Sequence, residues 1–227
     1  MLIDAEPHPR PRTQLWRATA IPVAGAHPLP RDVMTPNVPF LDVLAHRRSR
    51  PGGPVSEREL SSVLWHSMLL RESHPTGRFG IGWESRNAPS AGGLHPLSVL
   101  TIPIGEDGVV GVYGPERHLL LCMSPDDEAL RNANAKSVRQ LTGAKAGTTL
   151  QIVADPTRTA ACYDNSESLL LRDVGALTAT ICLVAAALGL QACPLGRAGT
   201  EICRVAGLPE PLVGLGAVHI GGRTAEG

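Results

Sequence analysis

The sequence predicts an α+β fold. Strand-like runs follow one another without regular β–α alternation, a long uncharged helix comes after them, and a glycine-rich turn feeds directly into an apolar strand. Residues 1 to 36 hold Pro7, Pro9, Pro11, Pro22, Pro28, Pro30 and Pro36, which break regular elements. An extended N-terminal arm is therefore expected over 1–36, partly ordered around Leu15 to Val23, with the main domain over 37–227. Val38, Leu41, Val43 and Leu44 have helical spacing and end at His46-Arg47-Arg48-Ser49-Arg50. Ser56-Glu57-Arg58-Glu59 is a capping box, which starts a helix running to about Leu70. Glycines and charges from Arg71 to Asn87 read as a loop.

Strands are expected at Leu97 to Ile104, Val109 to Tyr113, Leu119 to Met123, Leu150 to Ala154 and Leu212 to Ile220. Asp126 to Leu141 has helical composition, with acids favourable at its start. A short helix is expected from Glu201 to Ala206, ending at Gly207. Leu169 to Leu190 forms the central helix, stopped by Gly189. Its uncharged part, Val174 to Leu190, would reach about 26 Å at ~1.5 Å per residue, short of the roughly 30 Å hydrocarbon layer of a bilayer. A protein core or a subunit interface suits it better.

Composition narrows the function classes. The 227 residues carry no net charge and only 3% are aromatic. Neither nucleic acid nor an anionic membrane is an electrostatically obvious partner. The five cysteines include no Cys-x-x-Cys pair, and the histidines show no zinc-like spacing, so no metal site is read. Reduced thiols and a cytoplasmic location are expected, because the start from Met1 to Glu6 lacks a signal-peptide pattern.

Two segments carry the chemistry. Arg86-Asn87-Ala88-Pro89-Ser90-Ala91-Gly92-Gly93-Leu94-His95-Pro96-Leu97 has little side-chain bulk at its turn, so its backbone can lie against a planar ligand. Ser90 adds a hydroxyl. Arg47, Arg48, Ser49 and Arg50, at a helix end, form a dense set of anion-binding donors. The chain has neither a Walker loop nor a Gly-x-Gly-x-x-Gly fingerprint.

In their order these segments resemble the nitroreductase-like flavin enzymes, and within them the SagB-type dehydrogenases of peptide natural-product pathways. The resemblance rests on Arg47 to Arg50, Glu59 to Trp65, Arg86 with Pro89 to Leu97, Gly111 to Tyr113, and Tyr163. It continues through Asp173-Val174-Gly175, Ala187 to Leu190 and Cys193 to Gly196, and spans roughly 38 to 221. It implies a mixed or antiparallel sheet flanked by helices, FMN as cofactor, and a homodimer with FMN at the interface. Arg47, Ser49 and Arg50, with Arg48, would hold the flavin phosphate. Pro89, Ser90 and Ala91, with Gly92, would lie against the isoalloxazine from the other subunit. Gly196 and Arg197, after the long helix, would complete the phosphate site.

A peptide dehydrogenase needs a positioned base, and SagB-type enzymes carry a lysine–tyrosine pair. Tyr163 stands at the tyrosine position and is the catalytic candidate, but Cys162 precedes it; Lys136 and Lys145 are the only lysines. Arg78 is a candidate substrate-side cation. Three readings stay open. The first is an FMN-dependent dehydrogenase or oxidase acting on a peptide or small natural product, such as azoline-to-azole oxidation, with a partner biosynthetic enzyme as a further candidate. The second is a generic NAD(P)H nitroreductase or cyclodipeptide oxidase. The third is a non-catalytic scaffold that recruits a partner enzyme or precursor peptide.

Overall fold

The computed structural model describes residues 5–10, 16–77, 80–123 and 127–223. Arg78 lies outside them. Two short N-terminal strands, β1 (His8–Pro9) and β2 (Gly25–Pro28), precede helices α1 (Phe40–His46) and α2 (Glu57–Met68). A hairpin, β3 (Glu72–His74) and β4 (Trp83–Ser85), leads to a single 3-10 turn at Ala91–Gly93. Strands β5 (Leu97–Pro103), β6 (Gly111–Gly114) and β7 (Leu119–Cys122) follow, then helix α3 (Glu128–Thr142) and strand β8 (Thr148–Ala154). The remainder is α4 (Pro156–Ala160), β9 (Tyr163–Asp164), α5 (Glu167–Ala187), β10 (Gln191–Leu195), α6 (Thr200–Val205) and β11 (Val213–Gly221).

Seven strands form the main sheet in the order β10-β11-β8-β5-β6-β7-β2, and every neighbouring pair is antiparallel. Alternation along β5 explains how one strand serves two cores. Leu97 and Val99 join the cluster built with Leu60, Val63 and Leu64 of α2 and Leu177, Ile181 and Ala185 of α5. Leu100 and Ile102 face the other way, toward Leu130 of α3 and Ile202 and Cys203 of α6. The sheet is thus sandwiched, with α2 and α5 on one face and α3 and α6 on the other.

Local signals explain most boundaries. At the start of α2, the Ser56 side chain accepts from the Glu59 N–H at 3.3 Å, while a Glu59 carboxylate oxygen accepts from the Ser56 N–H at 2.8 Å. Helix α5 ends in a Schellman motif: the Leu190 N–H reaches the Ala185 carbonyl at 2.8 Å and the Gly189 N–H reaches Ala186 at 3.0 Å. Gly189 takes φ 74°, and an added Cβ there would run into the Arg223 guanidinium.

Three sequence expectations change. The loop read over Arg71 to Asn87 contains the β3–β4 hairpin. The proline-rich arm supplies β2, which extends the main sheet along β7. Helix α5 has 21 residues, so at ~1.5 Å per residue it reaches about 31 Å, and the length argument against a membrane span does not hold. It is the one helix among the described residues long and apolar enough to cross a membrane. Its packing on α2, β10 and β11, and a buried Asp173, place it on the sheet.

Candidate functional site

The basic cluster sits where α1 stops. Arg47 caps α1, and Ser49 forms a parallel bridge to Ala192 on the outer edge of β10. The chain is then pinned to the end of β11, where Gly53 and Gly222 exchange two backbone hydrogen bonds of 3.0 Å. Gly52 and Gly221 touch backbone to backbone here, and a Cβ on either would collide with the other strand. These contacts hold the cluster against a cleft of about 520 Å³ lined by Arg47, Arg48 and Arg50, by Cys182 and Ala186 of α5, and by Gly189 to Ala192.

Arg47 donates to Ser49 Oγ at 3.3 Å. Arg48 turns back to the carbonyls of Ala45 and Arg47, at 2.7 and 2.9 Å, and so caps the helix. Arg223 donates to the Gly189 carbonyl at 2.8 Å, on the cleft wall. Among the described residues none of these arginines, nor Arg50, has a carboxylate in an ion pair. Asp42 is the one acid on the lining. Like charges held together without a counter-charge repel, which an anion in the cleft relieves. Burial pushes the Cys182 thiol up to about 11, so it stays protonated at neutral pH and lines the cleft as a small apolar group.

The glycine-rich turn lies against the N-terminal half of α5. Ser90 Oγ donates to one oxygen of the Asp173 carboxylate, the Ala91 N–H donates to the other at 3.1 Å, and the His95 N–H donates to Ser90 Oγ at 2.9 Å. Burial raises the Asp173 carboxyl above its usual range, partly offset by the bonds from Ser90 and Ala91. A small cavity beneath the turn is lined by Ser67, Arg86, Pro89, Ser90, His95 and Asp173, and the buried Ser67 Oγ has no hydrogen-bond partner. Beside it, Glu84 ion-pairs with Arg86 and, at 3.3 Å, with Arg158, whose guanidinium lies 5.1 Å from the Trp16 ring. Burial first, then Arg86, drops the His95 imidazole to about 4.

Three predicted residues stand apart from these features. Tyr163, on β9, pairs with Pro9 and packs with Trp16, Ile81, Leu94 and Cys162, and it lines neither the cleft nor the cavity beneath the turn. Gly196 and Arg197 follow β10 at the end opposite Ala192. Arg197 lines a separate groove between α3 and α6 and donates to Asn134 at 2.7 Å, so the structure does not bring it to Arg47. Arg223, through its bond to Gly189, lies beside a residue of the cleft wall. Sequence reasoning missed it, although the Gly-Gly-Arg ending of the last strand-like run was a signal.

An antiparallel sheet between two helical layers, with a basic cleft at its edge and a glycine-rich turn on its central helix, defines an α+β protein of the nitroreductase fold. The chain belongs to the nitroreductase family, whose profile matches residues 52–222. A crystal structure from Ralstonia eutropha JMP134, named as a nitroreductase, aligns over 96% of this chain and 99% of its own, at 21% identity and a TM-score of 0.64. The Escherichia coli microcin synthetase McbBCD complex, with truncated pro-MccB17 bound, aligns over 86% of this chain and 76% of its own, at 16% identity and a TM-score of 0.60. A Clostridium acetobutylicum structure named as an NADH oxidase covers 81% of this chain and 89% of its own, at 17% identity and a TM-score of 0.51. No curated protein matches the chain.

Proposed function

We propose that this protein is an FMN-dependent dehydrogenase or oxidase acting on a peptide or small natural product, and that it works as a homodimer. The observation that carries the reading is the set of guanidiniums, without carboxylate partners, on the 520 Å³ cleft. Arg47, Arg50 and Arg223 are the residues to hold a flavin phosphate, with the Ser49 hydroxyl beside them; Arg48 shapes the helix end. When bound, FMN supplies the hydride acceptor. The chain's own part is to fix the phosphate, present the Pro89–Gly92 turn as a flat wall, and handle a proton at the Tyr163 hydroxyl.

A peptide substrate class draws support from the microcin synthetase neighbour, whose complex holds a precursor peptide. The dimer draws support from exposed apolar side chains. Phe40 is 63% exposed and Leu41 74% on α1, and Leu171 is 58% exposed on α5. Solvent-facing groups of this size mark a surface that needs a partner.

The first experiment is the visible absorption spectrum of the purified protein, with the released chromophore weighed by mass spectrometry. A flavin spectrum with the mass of FMN supports the reading; a colourless protein that also takes up no added FMN ends it. Tyr163→Phe should then lower turnover several-fold on an accepted substrate while flavin occupancy stays unchanged. The packing of Tyr163 in an apolar cluster favours one second reading, a flavin-loaded scaffold that recruits a partner enzyme. Unchanged turnover in Tyr163→Phe removes that residue from the chemistry, and a flavin that neither NAD(P)H nor substrate reduces favours the scaffold.

A further inference from the structure

Asp173 is a buried acid, 6% exposed, in a helix whose neighbouring inward positions are Leu169, Leu170 and Leu177. A leucine would pack there at no desolvation cost, whereas an isolated carboxylate is expensive to bury unless its oxygens are satisfied. Among the described residues no cation ion-pairs with it; Arg86 lines the same cavity, but its guanidinium is taken by Glu84. Both of its oxygens are spent on one object, the turn, through the Ser90 hydroxyl and the Ala91 N–H. Ser90 passes the constraint on, because its oxygen also accepts from the His95 N–H. His95 takes φ 46°, which a non-glycine residue adopts only where its surroundings hold it.

We propose that Asp173 is a positioning residue, a latch that fixes the Ser90–His95 turn in its ligand-ready shape before any cofactor arrives. The end of the turn is anchored, with Leu94 buried beside Ile81 and Cys162 and His95 Nε2 at 3.1 Å from the Glu84 carbonyl. From Ser90 to Gly93 its glycines and small side chains have little packing to hold them, so without the latch that part would sample many shapes and ordering it would weigh against binding. The latch converts it into a fixed wall backed by α5, which is itself packed on α2, β10 and β11. The functional half of this inference rests on the flavin reading above; the structural half does not.

The test uses the full-length protein as wild type, Asp173→Asn, Ser90→Ala, the double variant and Ser90→Thr, which keeps the hydroxyl. Amide hydrogen exchange of the cofactor-free protein is followed by mass spectrometry over the 88–96 segment. FMN affinity is followed by flavin fluorescence, and the environment of the ring by the bound-state absorption spectrum. Asp173→Asn and Ser90→Ala should each speed exchange of that segment and weaken FMN by about tenfold, the loss expected for one charge-assisted hydrogen bond. They should also shift the bound spectrum. Exchange in β5 and α2 should stay as in wild type. The double variant should be no worse than the worse single one, and Ser90→Thr should behave as wild type. Unchanged exchange at 88–96 in Asp173→Asn would overturn the latch, as would protection lost evenly across the whole protein or single effects that multiply. If wild type takes up no FMN, the flavin reading fails alone, and the exchange data still decide the latch.

Discussion

Arg223 leans across Gly189 to reach its carbonyl, and that single contact sets a guanidinium beside a residue that lines the cleft holding Arg47, Arg48 and Arg50. Charge-assisted contacts to phosphate are individually strong. Arg47→Ala and Arg223→Ala should therefore each weaken FMN binding by roughly 1.5–3 kcal/mol, measured by titration of the cofactor-free protein. An unchanged affinity in either would place the phosphate elsewhere. The sequence showed Arg47 to Arg50 and the Pro89–Gly93 turn because each is a compact run of unusual composition. Arg223 left only the faint signal of its Gly-Gly-Arg run, and its place beside Gly189 follows from the fold. Arg197 looked suitable because it follows the long helix in the chain, but β10 carries it to the opposite end of the sheet.

Elements with self-contained signals were legible in the sequence. The α2 capping box and the Gly189 stop of α5 are read from a handful of adjacent residues, and both are formed as expected. Ser56→Ala should lower stability by about 1 kcal/mol, visible as a reduced denaturant midpoint with an unchanged slope, because the Glu59 N–H loses its side-chain acceptor and the Glu59 carboxylate loses the Ser56 hydroxyl. No loss of stability would mean that the end of α2 is held by packing alone. The β3–β4 hairpin was hidden because Glu72, Ser73 and His74 are all exposed and carry no apolar alternation. β2 was hidden because Gly25-Ala26-His27-Pro28 gains strand form from β7, not from its own propensity; as an edge strand it tolerates its proline.

For the whole molecule, two predictions concern assembly and acid stability. Placing a charge on the exposed face of α1, as in Leu41→Glu, should shift the protein toward monomer in size-exclusion chromatography with light scattering. Flavin occupancy should fall with it, if the turn of one chain serves the cleft of another; a monomer that keeps its FMN would argue for a site within one chain. The second prediction concerns buried imidazoles. Burial lowers His95 to about 4 and also lowers His118 and His219. An unfolded chain protonates its histidines near pH 6.5, while the folded state leaves His95 neutral until about pH 4. The unfolded state then binds more protons through this window, so stability falls as pH drops from 6.5 toward 4. Asp173, with a raised carboxyl, works in the opposite sense, since the folded state holds its proton longer. Denaturant midpoints between neutral and about pH 5 should drop for wild type and drop less for His95→Asn; an equal drop in both would assign the acid sensitivity to other groups.

The crossing of Gly52 and Gly221 also ties together parts of the chain that lie far apart in sequence. Residues 47 to 50 and the strand that pins them meet only once β11 has paired with β10 and reached Gly53, so the cleft takes shape with the closing of this sheet edge and not before it. A ligand that recognises the finished cleft therefore binds the folded chain, and it adds to the stability of that state by mass action.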